Sequence, residues 1–309
     1  MIPFRTILVP LDGSSLAEKA LPPALRIAEA MAGSATGDGV RLVLLRVVGQ
    51  VALVAADPML YDELMRMGID EAQAYLRRLA ETLVAGNVTI ETYAASGSPA
   101  DAIVHYAEEH KVDLIMMSSH GRTGSSRWVY GSVAEKVMHH APCATAIIRA
   151  HVGVEMFHNR KILVPLDGSP LAERALAPAL AIADAVQSDV LLLRVAPARE
   201  PLPEAMLPAG ENVGAALDAA AAQERATAET YLQQIYSAHP NRRLFFDVVT
   251  TEGDIADAII SYADEKQSDL IVMSSHGRSG IGRWLHGSVA EKVLRGADCA
   301  TLIIRSPRD

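Results

Sequence analysis

The chain has 309 residues, the length of two ordinary domains, and half of it is apolar, which excludes a disordered protein. A net charge of −9 argues against a broad surface for a phosphate backbone, so no nucleic acid is expected as a partner. Two cysteines do not make a disulfide framework, and no apolar stretch approaches the length of a membrane span. We therefore expect a cytoplasmic protein that does not bind membranes.

Strand-like and helix-like patterns alternate along the first half of the chain. Apolar runs predict strands at 6–11, 41–48, 88–94, 113–117 and 144–148, and helical spacing predicts helices at 16–31, 62–84, 101–111 and 132–140. Strands that alternate with helices favour right-handed crossovers and a parallel sheet with helices on both faces. Most of these runs are nearly all apolar, as expected when both faces of a parallel sheet are covered, whereas 88–94 alternates apolar and polar residues.

The chain also repeats itself. Residues 160–183 match residues 5–28 at 19 of 24 positions, and residues 269–305 match residues 113–149 at 26 of 37 positions. The period is about 155 residues, far longer than a solenoid repeat, and indicates a duplicated domain.

The limits of the two copies and the contact between them follow from this repeat. We expect one domain at 1–150, a linker at 151–158 and a second domain at 159–309. The last strands, at 144–148 and 300–304, are short and apolar and need cover, so we expect them at the contact between the halves. The halves are predicted to pack as a pseudo-symmetric pair, and whole chains are expected to pair again as a homodimer.

The first candidate site is the Asp-Gly-Ser turn that follows the first strand of each half. Asp12 and its copy Asp167 lie where an open α/β sheet binds ligands, beyond the carboxyl ends of its strands. One interpretation is structural, because Asp before Gly-Ser forms a turn and caps the next helix. The other is that the carboxylate accepts hydrogen bonds from ribose hydroxyls or an adenine amine, since it would repel phosphates.

The second candidate site is the loop after the fourth strand. Ser118-Ser119-His120-Gly121 is followed after nine residues by Gly131-Ser132, and the second half keeps the same spacing. Glycine lets backbone amides approach a ligand, and free amides at a helix start favour phosphate. The histidines of this loop, His120 and His276, could donate to a phosphate or could be structural, and the sequence leaves both readings open.

These residues resemble the universal stress protein family. The resemblance is carried by Leu-Val-Pro-Leu-Asp-Gly-Ser at 8–14, Met-Ser-Ser-His-Gly-Arg at 117–122 and Gly-Ser-Val-Ala-Glu-Lys-Val at 131–137. The second half repeats all three segments unchanged, at 163–169, 273–278 and 287–293. It implies two tandem Rossmann-like domains, each an open five-stranded parallel sheet of order 3-2-1-4-5 with helices on both faces. It also implies ATP as the ligand, with the phosphates on the glycine loop.

By resemblance, the residues that hold the nucleotide occupy three places in each half: the acid of the first turn, the apolar end of the second strand, and the loop. In the first half they are Asp12, Val47, Met117, Gly121, Gly131 and Ser132, and Ser118 and His120 are added as candidates from their place in the loop. In the second half they are Asp167, Val195, Met273, Gly277, Gly287 and Ser288, and Ser274 and His276 are added as candidates from their place in the loop.

The chain departs from the family pattern once in each half. Ser118 and Ser274 stand where the loop of the family has its first glycine. A serine keeps the backbone amide but adds a Cβ, which costs about 1–2 kcal/mol where the backbone needs a positive φ. Such a cost would weaken nucleotide binding about tenfold without abolishing it.

Two classes of function fit the sequence. The first is a stress-response regulatory protein that binds ATP, with Mg²⁺ as companion of the triphosphate and with slow hydrolysis at most. It is not an enzyme on this reading, because the chain has no Walker lysine, no repeated carboxylate pair and no general base with an orienting partner. The alternative is a protein–protein interaction module of the same fold that binds no nucleotide, which the two serines favour. An enzyme acting on a bound nucleotide ranks third.

The two cysteines occupy matching positions before the last strand of each half. Cys143 and Cys299 are predicted to be buried, unreactive thiols rather than a redox pair.

Overall fold

The computed structural model describes residues 4–33, 39–49, 58–83, 86–119, 131–149, 157–198, 213–240, 242–274 and 288–305. In the first half the elements are β1 (Thr6–Leu11), α1 (Ser15–Glu18), α2 (Leu21–Gly33), β2 (Val40–Val48), α3 (Pro58–Thr82), β3 (Val88–Ser96), α4 (Pro99–Glu109), β4 (Leu114–Ser118), α5 (Ser132–His140) and β5 (Ala144–Ile148). The second half has β6 (Lys161–Pro165), a short 3-10 helix (Ala172–Ala175), α6 (Leu176–Val186), β7 (Asp189–Pro197), α7 (Val213–Ala238), β8 (Leu244–Thr251), α8 (Ile255–Glu265), β9 (Leu270–Ser274), α9 (Ser288–Gly296) and β10 (Ala300–Ile304).

Each half contributes five parallel strands in the predicted order. The first half runs β3-β2-β1-β4-β5, and the second runs β8-β7-β6-β9-β10. The order reverses between β1 and β4, where Ile7 lies opposite Leu114, and between β6 and β9, where Ile162 lies opposite Leu270. The α/β fold class is therefore confirmed, and it places the Asp-Gly-Ser turns and the ends of β4 and β9 at the edge where such sheets bind ligands.

The two halves join into one sheet of ten strands. β5 and β10 pair antiparallel, with Thr301 opposite Ile147 and Ile303 opposite Thr145. The expectation that the last strands meet is thus confirmed, and the shared hydrogen bonds extend it to a continuous sheet. Both strands are buried along their whole length, so neither offers an open edge.

Helices cover both faces of this sheet because successive strand residues point to opposite sides. Ile7 and Val9 belong to the apolar layer beneath α2, α3, α6 and α7, while Leu8 belongs to the layer beneath α4, α5, α8 and α9. The fully or almost fully buried helix residues include Ile27, Leu76, Ile182 and Leu232 in the first layer, and Ile103, Val137, Ile259 and Val293 in the second. Each layer includes residues from both halves.

The helix predicted over residues 16–31 is two helices. α1 ends at Glu18, and α2 begins at Leu21 with Pro22 and Pro23 in its first turn. Proline lacks an N–H group and is tolerated in the first turn of a helix but not in its interior. The two prolines therefore mark a new helix start inside a continuous apolar pattern.

Helices as well as strands connect the two halves. α2 packs against α6, and Phe157 lies buried beneath Arg26 of α2, with the guanidinium carbon 5.8 Å from the ring centroid. On the other face, Arg295 Nη2 of α9 lies 3.7 Å from Glu135 Oε1 of α5. Among the described residues, none of the helices has both the length and the apolar character needed to cross a membrane.

Candidate functional site

The Asp-Gly-Ser turns fold in the same way in both halves. The amide of Ser14 donates to Asp12 Oδ1 at 2.9 Å, and the amide of Ser169 donates to Asp167 Oδ1 at 2.8 Å. The hydroxyl of Ser14 accepts from the amide of Ala17 and so caps α1. The carboxylates therefore have the structural role foreseen for them, which fixes their position at the ligand edge.

Glycine is required between the aspartate and the serine. Gly13 has a φ of +85° and Gly168 a φ of +84°, a left-handed conformation that a side chain disfavours. A Cβ on Gly13 would also lie 3.3 Å from the guanidinium carbon of Arg46. The turn is thus shaped by an arginine at the end of the second strand as well as by its own hydrogen bonds.

A cavity of 360 Å³ lies at the carboxyl edge of the second half. It brings together four residues singled out from the sequence, namely Asp167, Val195, Met273 and Ser274. These residues follow or end three different strands, β6, β7 and β9. The other described walls include Leu166, Arg194, Pro197, Ile255, Ile259 and Val289, so a carboxylate and a guanidinium face a largely apolar space.

The corresponding residues of the first half lie at the same edge. Val47 packs against the apolar layer beneath α4 and α5, and Met117 is buried in that layer. Ser118 ends β4 and is buried, and its hydroxyl has no hydrogen-bond partner among the described residues. A buried polar atom without a partner is costly, so this hydroxyl is suited to contact a ligand or the loop that follows it.

The start of α5 leaves backbone amides open to a ligand. Gly131 is the N-cap residue, with a φ of −61° and no side chain to accept from the first turn. Ser132 is the first residue of α5, and Ser288 is the first residue of α9. The first N–H groups of a helix attract anions because no residue inside the helix accepts from them.

Five predicted site residues lie outside the described part of the chain. They are His120, Gly121, His276, Gly277 and Gly287.

The charge of Asp167 is maintained by its neighbours. Burial raises the pKa of this carboxyl, but hydrogen bonds from Ser169 and the positive charge of Arg194 outweigh that effect, so the pKa lies below its ordinary value. The side chain therefore accepts hydrogen bonds at neutral pH and does not act as an acid.

The profile of the universal stress protein family matches residues 3–149 and again residues 158–305. The chain belongs to the universal stress protein family.

Among its relatives, a universal stress protein of Methanocaldococcus jannaschii is 31% identical over 147 residues, covering 47% of this chain and 82% of the relative. A universal stress protein of Mycobacterium bovis is 27% identical over 221 residues, covering 71% of this chain and 70% of the relative. The crystal structure of a universal stress protein from Archaeoglobus fulgidus superposes with a TM-score of 0.71 at 19% identity, covering 97% of this chain and 98% of that one. The structural likeness shows that the two-domain fold is shared.

A group of side chains behind the turn of this universal stress protein was not predicted from the sequence. Tyr75 of α3 donates its hydroxyl to Glu18 Oε1 at 2.7 Å, and Arg46 lies over the Tyr75 ring at 4.9 Å. In the second half Tyr231 donates to Glu173 Oε1 at 3.0 Å. All three residue types recur in the second half, and that recurrence was the signal available from the sequence.

Cys299 is buried as predicted, whereas Cys143 is half-buried. Burial raises the pKa of the Cys143 thiol to about 12 and that of Cys299 to about 12. Neither forms a thiolate near neutral pH, and both are free thiols.

Proposed function

We propose that this protein is a stress-response regulator whose two halves each bind an adenine nucleotide, with ATP as the ligand. The observation that carries the proposal is the cavity in which Asp167, Val195, Met273 and Ser274 converge. Residues from three strands form one pocket there, of a size typical for small-molecule sites. The family resemblance assigns Asp167, Val195 and Met273 to the nucleotide as well, and Ser274 stands where the family loop has its first glycine.

The chemistry of the walls suits a nucleoside. The apolar side chains of Val195 and Met273 can pack against the face of a base. The Asp167 carboxylate can accept hydrogen bonds from ribose hydroxyls or an adenine amine. In the first half Asp12, Val47 and Met117 have the same roles in this proposal.

The phosphates are assigned to the loop and the helix start beyond it. In the first half this group is Ser118, His120, Gly121, Gly131 and Ser132, and in the second half it is Ser274, His276, Gly277, Gly287 and Ser288. Support comes from the first amides of α5, which have no side-chain cap at Gly131. Backbone amides rather than cationic side chains would provide most of the phosphate binding.

The proposal assigns no catalytic residue and at most slow hydrolysis. Mg²⁺ would accompany the triphosphate and be held by phosphate oxygens and water. Among the described residues, no group of three His, Cys, Asp or Glu side chains could hold a metal ion, so no protein ligand is named for it.

A second candidate function is an interaction module that binds no nucleotide. It is favoured by Ser118 and Ser274, which replace the first loop glycine in both halves. Ser118 is buried, so its Cβ and hydroxyl take up space at the point where the loop begins.

The deciding experiment is calorimetric titration of nucleotide-stripped protein with MgATP. We expect the wild type to bind, and the double variant G131V/G287V to bind about thirtyfold more weakly, a loss of about 2 kcal/mol, because valine blocks phosphate approach. D12N/D167N should lose less, since an amide still accepts one hydrogen bond. Gly86→Val is the matched control, because a Cβ on Gly86 would meet nothing within 4 Å.

The outcomes separate the two candidates. A wild type that fails to bind at millimolar ATP supports the interaction module. A G131V/G287V variant that binds like the wild type shows that the phosphates lie elsewhere.

Assembly and location complete the proposal. The pseudo-symmetric halves are proposed to pair again into a homodimer of whole chains, and the two free thiols suit the reducing cytoplasm.

A further inference from the structure

The two halves share the basic residues around their clefts but not the acids that pair with them. Arg46 and Arg194 occupy matching places behind the Asp-Gly-Ser turns, and Lys136 and Lys292 occupy matching places on α5 and α9. Only in the second half does a carboxylate from another element pair with each of these cations, within the described residues.

The first difference lies behind the turn. Arg194 Nη2 contacts Glu224 Oε1 of α7 at 3.3 Å. Glu224 precedes Tyr231 by seven residues, and the residue seven positions before Tyr75 is Gly68. A Cβ on Gly68 would lie 3.0 Å from Val48 Cγ1, so this position is both uncharged and crowded. The first half therefore has no counterpart of the Glu224 carboxylate.

The second difference lies at the start of the helix after the third strand. Asp254 is the N-cap of α8, accepts from the amide of Ala256 and pairs with the ammonium of Lys292. The N-cap of α4 is Ser98, which is uncharged. In the described part of the chain no carboxylate lies within salt-bridge distance of the exposed Lys136 ammonium.

Both acids stand close to the ligand edge. Arg194 lines the cavity itself, and Ile255, which directly follows Asp254, lines the cavity as well. Lys292 lies one turn inside α9, the helix whose start is assigned to the phosphates. Glu224 and Asp254 therefore lie near the second cleft at two positions that are uncharged in the first half, Gly68 and Ser98.

We propose that the two clefts select adenine nucleotides by charge: the first half prefers the triphosphate, and the second half discriminates less between ATP and uncharged adenosine. This inference rests on the proposed function and adds the ligand class of each half. Glu224 and Asp254 are specificity-determining residues in this account, because they offset the cations that would attract phosphate. A unit charge near the binding site changes the affinity for a charged phosphate severalfold at low salt, and much less at high salt, where the charge is screened.

The test measures the ATP-to-adenosine affinity ratio of the second half alone, in a Gly131→Val background. E224Q/D254N removes both charges with little change of shape, and asparagine remains a good helix cap. We expect the ratio to rise about fivefold at about 0.02 M salt and to return towards its original value at about 0.5 M. The matched control is E229Q, which removes a charge of α7 that is paired to Arg225 on the same helix.

A reverse variant tests the first half. In a Gly287→Val background, S98D adds an acid at the cap of α4, where it can pair with Lys136, and should lower the same ratio. Ratios that stay at the value of the E229Q control, or adenosine affinities that change as much as those for ATP, overturn the charge selection. A wild type that binds neither ATP nor adenosine overturns the proposed function itself.

Discussion

Arg149, which follows β5 in the first half, donates its guanidinium to the carbonyl oxygen of Leu294, near the end of α9 in the second half, at 2.5 Å. The same Nη2 reaches the carbonyl of Arg295 at 2.9 Å. The last carbonyl oxygens of a helix accept no hydrogen bond from within the helix, and the helix dipole favours a cation beside them. Arg149 of the first half thus caps the C-terminal end of α9 in the second half.

Replacing Arg149 should weaken the contact between the halves. R149M keeps the apolar stem but loses the charge-assisted hydrogen bonds, and we expect it to lower the free energy of unfolding by about 2 kcal/mol. Urea denaturation followed by circular dichroism measures the change. The control R225M breaks only an exposed pair within α7, between Arg225 and Glu229, and should change stability by less than about 0.5 kcal/mol. Equal midpoints for the two variants would contradict the role of Arg149.

The antiparallel seam contains two hydroxyls that weaken it. Thr145 and Thr301 are each 1% exposed, and their Oγ1 atoms have no hydrogen-bond partner among the described residues. Replacing either residue with valine removes a buried unsatisfied group at nearly constant volume, so T145V and T301V should each stabilise the protein by about 1 kcal/mol. Thr6 is the contrasting control, because its hydroxyl accepts from Arg41 Nη2 at 3.1 Å, and T6V should destabilise. Thermal melts that move the same way for all three variants would refute this reasoning.

The turn glycines should tolerate no side chain. G13A and G168A force alanine into a left-handed conformation, at a cost of about 1–2 kcal/mol each. G13A should be the more harmful, because its Cβ would lie 3.3 Å from the Arg46 guanidinium, against 3.6 Å from Arg194 for G168A. Gly33→Ala is the control, since a Cβ there meets nothing within 4 Å. Chemical denaturation gives the order, and a G13A protein as stable as the Gly33→Ala control would be the contrary result.

Acid should destabilise the protein through His139, near the end of α5. Burial lowers the pKa of this imidazole, and the charges of Glu135, His140, Glu291 and Arg305 act on it from both halves. Below about pH 6.5 the unfolded chain binds a proton that the folded state resists, so stability falls as the pH drops from the ordinary pKa towards the lowered folded pKa and levels off below it. H139Q should flatten this dependence in urea melts between about pH 7 and 5, whereas H105Q, on the exposed face of α4, should retain it. A slope unchanged by H139Q would remove His139 from the account.

The bounds of helices and strands were predicted well where the apolar residues follow a single helical or strand spacing. Residues 132–140 and 144–148 match α5 and β5 at both ends, because capping glycine and buried apolar runs define those elements locally. The strand order came from resemblance to a family, since parallel strands meet only through long crossovers that local pattern does not specify. The break before Leu21 was missed because apolar spacing continues across it.

Much less of the site could be predicted from local pattern. Asp167 and Met273 were found because they lie in repeated motifs, and the structure places both in one cavity. Arg46 and Tyr75 stand far apart in the chain and meet only when α3 packs across the end of β2. The exchange of Gly68 for Glu224 could not be interpreted from the sequence, because which helix residues contact the end of a strand depends on how the helix packs.

Because β5 and β10 pair within one polypeptide, the stability of their contact does not depend on protein concentration. Subunits that meet through such a seam separate on dilution, whereas these halves stay at a fixed effective concentration set by their linker. A single chain also removes the symmetry that a dimer imposes, since each codon changes one side of the seam only. Duplication followed by fusion thus permits one half to keep an ancestral task while the other acquires a different one.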